Sequence, residues 1–236
     1  MYKADMEFTG ERVVPGKTPP EIYKEHTDRY VFAATLTGNK DVLDVACGTG
    51  YGVGYLVDKG ARRVTGVDLS SEAVNYGWDW FGDSGNSHYV CADGVKLPFA
   101  DHSFDVVVSF ETLEHIRAYR KFLAECQRVL KDNGTLICST PNRRIFSPGV
   151  ARPPNPYHVK EFWPEEYCRL LSRFYCDISF YGQCDVTLSD NSVERHNGVH
   201  EFRDDEHISS GYIIAVARKR VKGSLKCPRP KSPSSS

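Results

Sequence analysis

A chain of 236 residues, 40% of them hydrophobic, can bury the core of one α/β domain with accessory segments and leaves no room for a second large domain. Thirty Lys and Arg against thirty-one Asp and Glu give a formal net charge of −1, so no overall field recruits nucleic acid or an anionic membrane. Charges run through the opening MYKADMEFTGERVV and no apolar stretch of about 18 residues occurs, so neither signal peptide nor membrane span is expected and the chain reads as cytoplasmic.

Tyr23, His26, Arg29 and Tyr30 recur at helical spacing and predict a helical cap over residues 1–40, ahead of a domain over 41–220. DVLDVA then reads as a buried strand, Gly50–Lys59 as a helix, and RRVTGVDLS as a second strand ending in an acid. Ser71–Phe81 is helical, with Ser70 or Ser71 as N-cap, and SHYVCAD and FDVVVSF supply the third and fourth strands. Phe122, Leu123, Cys126, Val129 and Leu130 mark a helix that stops at DNG before the strand TLICST. This alternation argues for a mostly parallel sheet.

Beyond Thr140 the proline-rich PNRRIFSPGVARPPNPYHVKEF reads as a long ordered loop, followed by a short helix over Pro164–Leu171. FYCDISFYG and SGYIIAVARK complete a seven-stranded sheet through an antiparallel closing strand, with residues 182–209 between them as an inserted lid. Residues 221–236, rich in Pro, Ser and Lys, are expected to be a disordered tail. Eight scattered cysteines without a C-x-x-C pair read as small buried hydrophobes. His196, His200 and His207, near Asp204, Asp205 and Glu206, read as a solvated polar loop, and no metal centre is expected.

VLDVACGTGYG places Gly48, Gly50 and Gly52 where a strand turns into a helix, which suits close approach of a ligand to the backbone. Asp68 ends the second strand, where a carboxylate accepts from both hydroxyls of an adenosine ribose. NAD and S-adenosylmethionine both require that. Asp44 just before the glycines suits a cationic ligand better than a pyrophosphate, and Asp93 is placed to accept from an adenine amine. Val53 stands where a dinucleotide fingerprint needs its third glycine.

LDVACGTGYG, VTGVDLS, CADGVKLPFADHSFDVVVSFETLEHI and VLKDNGTLICSTPN together resemble class I S-adenosylmethionine-dependent methyltransferases of the type-11 group, over residues 42–142. FTGERVVPG and NPYHVKEF resemble a bacterial subgroup associated with glycosyltransferases that build surface polysaccharides. The one departure is Ala46 and Cys47 ahead of Gly48, where many relatives have Gly-x-Gly-x-Gly. The resemblance implies a Rossmann-like three-layer sandwich that takes S-adenosylmethionine and releases S-adenosylhomocysteine. It implies Asp44, Ala46, Gly48 and Gly50 at the methionine end, Asp68 and Leu69 at the ribose, Asp93 and Gly94 at the adenine, and Phe110 and Glu111 beside the methyl group.

Arg29 could clamp the donor carboxylate with Tyr23 and Tyr30 beside it, or the two tyrosines could simply pack the helix onto the sheet. His115, four residues after Glu111, and His158 are the candidate bases; either could instead shape the donor pocket or pin its loop. Arg143, Arg144, Arg152 and Lys160 could hold an anionic acceptor or be plain surface charge. The preferred activity is O-methylation of a small hydroxylated or anionic metabolite, such as a sugar, carboxylate or phosphonate, with no nucleic-acid or membrane partner. N-methylation of an amino sugar or small amine is the alternative; an NAD-dependent dehydrogenase or epimerase would need the missing glycine.

Overall fold

A computed structural model describes residues 3–82, 85–187, 196–202 and 208–220. Strands β1 (Asp41–Val45), β2 (Arg63–Asp68), β3 (Ser87–Cys91), β4 (Phe104–Ser109) and β5 (Leu130–Pro141) run parallel in the order β3-β2-β1-β4-β5. The sheet continues through β8 (Ile208–Lys219), β6 (Tyr175–Thr187) and β7 (His196–Glu201), where successive neighbours pair antiparallel.

Both faces of the strands are apolar, because each face carries helices. Val42, Val106 and Val108 pack under α1 (Pro20–Thr37), α2 (Tyr51–Asp58) and α3 (Ser71–Phe81). Leu43, Val45 and Val107 pack on the other face under α4 (Tyr119–Val129), joined by Tyr167, Leu170 and Leu171 of a later helix over Pro164–Leu171. The three-layer sandwich expected from the sequence is therefore present. Local signals set the helix starts: Ser70 accepts from the Ala73 amide at 3.2 Å, and prolines occupy the first turns at Pro20 and Pro164.

Four expectations need correction. Helix α4 ends at Val129, so Leu130 and the DNG segment belong to β5 instead of closing the helix ahead of it. The sheet has eight strands rather than seven, because β6 runs on to Thr187 and β7 occupies part of the segment expected as a lid. HNGVHE pairs through its backbone at a sheet edge and so needs no apolar alternation. The helical cap is only α1; residues 3–19 form a non-helical arm, tied down where Thr49 donates to the Val13 carbonyl (2.9 Å) and Trp80 to that of Ala4 (2.8 Å). The proline-rich loop contains one helical turn, α5 (Arg143–Phe146), capped by the Asn142 side chain, which accepts from the Arg144 amide at 3.0 Å; the helix over Pro164–Leu171 is therefore α6. Residues 188–195, 203–207 and the expected tail 221–236 lie outside the described residues, and His207, Asp204, Asp205 and Glu206 with them. No described helix is long and apolar enough to cross a membrane.

Gly52 shows why the β1–α2 turn is rich in glycine. A Cβ at that position would be driven into the buried Tyr30 ring. Gly52→Ala is expected to destabilise the protein by about 1–3 kcal/mol through overpacking, seen as a lower melting temperature.

Candidate active site

β1 is flanked by β2 on one side and β4 on the other, so the loops leaving their carboxyl ends diverge and open a crevice. Two adjoining cavities of about 710 and 480 Å³ occupy it, sharing walls at Glu11, Arg12, Ala46, Gly48, Glu111 and His115. The larger is lined by Asp68, Leu69, Asp93 and Gly94, the smaller by Tyr30, Phe110, Glu114, His158 and Glu161.

Asp68 ties the glycine turn to β2: its two oxygens accept from the amides of Gly48 and Ser70, each at 2.9 Å, and each keeps a second lone pair for a hydroxyl. Asp93 accepts from the Val95 amide at 3.0 Å. Ala46 adopts φ of 63° and Glu111 φ of 48°, left-handed conformations that strain a side-chain-bearing residue, and both lie on the shared wall.

Asp44 is wholly buried. One of its oxygens accepts from the Tyr30 hydroxyl at 2.9 Å and the other has no hydrogen-bond partner. Burial pushes its carboxyl up to about 7, against the Tyr30 hydrogen bond and aided by the nearby charge of Asp68. Tyr30 lines the smaller cavity, and its ring packs edge-on against Phe110 and Tyr51, which is the packing reading offered above.

On the shared wall, Glu111 is held from two directions by Ser139, whose hydroxyl accepts from the Glu111 amide (3.1 Å) and donates to its carboxylate (2.5 Å). Burial raises the Glu111 carboxyl, opposed by the charge of Arg29. His115 Nδ1 donates to the Tyr157 carbonyl at 2.9 Å, which leaves Nε2 as the unprotonated nitrogen of the neutral ring. Burial keeps this imidazole below its usual range, the Tyr157 contact opposing. His158 donates from Nδ1 to Glu161 (2.7 Å) and accepts at Nε2 from Asn155 (3.0 Å). It therefore pins its loop and lines the cavity at once.

Several expected residues stand elsewhere. Arg29, Tyr23, Asp44 and Gly50 line neither cavity: Arg29 donates to Gln183 at 2.6 Å with its guanidinium 4.7 Å from the Tyr212 ring, Tyr23 packs on Tyr51, Asp44 is wholly buried, and Gly50 lies against the Tyr89 ring. None of the four cations expected at the acceptor reaches either cavity. Arg143 and Arg144 lie over the Trp163 ring, with Arg143 also donating to the Val150 carbonyl and Arg144 to Glu165. Lys160 faces Phe162 and Glu166, and Arg152 is exposed.

Residues 43–138 match a family model described as a methyltransferase domain. A "Probable S-adenosylmethionine-dependent methyltransferase" of Mycobacterium tuberculosis is 37% identical over 197 residues, which cover 83% of this chain and 70% of that protein. The chain belongs to the S-adenosylmethionine-dependent methyltransferases. A similarly named protein of Mycolicibacterium smegmatis is 37% identical over 165 residues, 70% of this chain and 63% of its own length, so this methyltransferase spans about two thirds of these relatives. The YcgJ protein of Bacillus subtilis shares the fold, with a TM-score of 0.64 at 16% identity over 83% of this chain and all of that one.

The cofactor of this methyltransferase is S-adenosylmethionine, and the unpartnered buried oxygen of Asp44 fits a ligand that carries positive charge. Sequence reasoning passed over Glu11, Arg12, Tyr51, Glu114 and Glu161 in the methyltransferase site. The segment GERVV was visible as a motif, but only the path of the arm brings Glu11 and Arg12 onto both walls.

Proposed function

We propose that this methyltransferase methylates an oxygen of a small hydroxylated metabolite, a sugar or a related compound. The observation that carries this reading is the chemistry of the smaller cavity, where Glu25, Glu111, Glu114, Glu161, His115 and His158 face the acceptor space. Carboxylates and imidazole nitrogens accept hydrogen bonds from hydroxyls, and ionised carboxylates repel an anion. A neutral hydroxylated acceptor is thereby preferred over the carboxylate or phosphonate that the sequence also allowed. The likeness of FTGERVVPG and NPYHVKEF to a polysaccharide-associated subgroup supports a sugar.

The larger cavity takes the nucleoside, with Asp68 and Leu69 at the ribose and Asp93 and Gly94 at the adenine. Ala46, Gly48, Tyr30 and Phe110 surround the methionine end, and Asp44, buried behind them, balances its positive charge. Arg12, on both walls, replaces Arg29 as the partner of the donor carboxylate. Bound there, S-adenosylmethionine supplies a methyl group activated by its sulfonium. The chain's own residues orient the acceptor hydroxyl in line with that methyl and remove its proton, which we assign to Glu111 at the junction of the cavities. N-methylation of an amine is the second reading, favoured by five carboxylates against one arginine among the residues lining the smaller cavity.

A screen with methyl-labelled S-adenosylmethionine against neutral sugars, amino sugars and sugar acids tests the proposal, with Asp68→Ala as the blank. Transfer to a hydroxyl of a neutral sugar is expected, and Asp68→Ala should weaken donor binding about 10–100-fold by losing hydrogen bonds to a charged acceptor. Label confined to sugar acids would overturn the acceptor reading.

A further inference from the structure

The reading above gives the proton to Glu111 and uses Glu114, His115 and His158 only as hydrogen-bond acceptors. These three each offer one ligand atom, and the three atoms lie within 4.8 Å of one another. Donors about 2.0–2.2 Å from a shared ion stand about 3–4 Å apart, so small side-chain rotations close the set.

Each of the three is already oriented from behind. His115 is fixed through Nδ1 by the Tyr157 carbonyl, and His158 through Nδ1 by Glu161, the outer contacts that prepare an imidazole to ligate through Nε2. His158 would exchange its Asn155 contact for the ion. Glu114 accepts from Thr140 at one oxygen (3.2 Å), and the amides of Val159 and Lys160 donate to its carbonyl, locking the His158 loop to the single 3₁₀ turn Leu113–His115. The decisive atom is its other oxygen, Oε1. It belongs to a wholly buried side chain, has no hydrogen-bond partner, and lies 3.9 Å from His115 Nε2. A buried carboxylate oxygen without a donor is costly, and a cation between it and two imidazoles removes that cost.

We propose that Glu114, His115 and His158 bind one divalent transition-metal ion on the acceptor side of the crevice. Two imidazoles and a carboxylate suit Mn²⁺, Fe²⁺, Co²⁺ or Zn²⁺ better than Ca²⁺. Three protein ligands leave open positions for oxygens of the acceptor. The functional half of the proposal rests on the O-methylation reading: an acceptor hydroxyl on the ion becomes more acidic, and its proton passes to Glu111. Ion binding itself rests only on the three ligands.

The test titrates the full chain, stripped with a chelator, with MnCl₂ followed by the electron paramagnetic resonance of free Mn²⁺, and with ZnCl₂ by calorimetry. One ion per chain is expected, with Glu114→Gln and His158→Ala each weakening binding at least tenfold. S-adenosylhomocysteine affinity is read on the same samples, where its retention also reports a folded protein. Ion binding without S-adenosylhomocysteine binding would sink the methyl-transfer reading and leave the ion site standing. Failure of the wild type to take up either metal while it binds S-adenosylhomocysteine, or affinity unchanged in both variants, would overturn the site.

Discussion

Glu111→Gln is expected to lower kcat by about 10²–10⁴-fold, the usual contribution of a positioned general base, while leaving S-adenosylhomocysteine affinity largely intact. Glutamine keeps the shape and can still accept from the Ser139 hydroxyl that holds the native carboxylate. What it loses is the capacity to take a proton. The position is costly to maintain, since φ of 48° costs a non-glycine residue about 1–2 kcal/mol, and Ser139 holds it by two hydrogen bonds. A parallel loss of turnover and cofactor affinity would instead make Glu111 part of the donor pocket.

The second large effect concerns Asp44. Its carboxyl stands at about 7 in the folded chain against an ordinary 3.8, so the folded state binds a proton that the unfolded state has released. With the site empty, stability is greatest below the ordinary value and falls as pH rises towards 7, by on the order of 4 kcal/mol at about 1.36 kcal/mol per unit. Asp44→Asn should therefore raise the melting temperature at pH 8 and have little effect at pH 4. A positively charged ligand favours the ionised form, so wild-type affinity for S-adenosylmethionine should improve as pH rises through about 7. The variant should bind more weakly and lose that dependence; an unchanged pH profile in Asp44→Asn would remove Asp44 from this role.

The five parallel strands and their helices were legible because their signals are local: apolar residues on both strand faces, Ser70 as a cap, Pro164 in a first turn. That Asp68 and Asp93 share one cavity was equally legible, since both follow directly from strand ends and line the larger cavity. The lining of the smaller cavity was not. Arg143, Arg144 and Lys160 lie close in sequence to a site loop, but their direction depends on Trp163, Phe162 and Glu165, which take up the cations laterally. Glu114 reads as an ordinary acid beside a histidine, and only packing shows that it is wholly buried. β7 was hidden for the opposite reason, because an edge strand such as HNGVHE declares itself through backbone pairing and not through its side chains.

The arm over residues 3–19 bears on both cavities. Glu11 and Arg12 belong to the walls of both, and the arm is fastened at Val13 by the Thr49 hydroxyl within the glycine turn itself. The two cavities therefore share a piece of wall that belongs to neither the sheet nor its helices, so a substitution in the arm at Glu11 or Arg12 alters the surface of both at once.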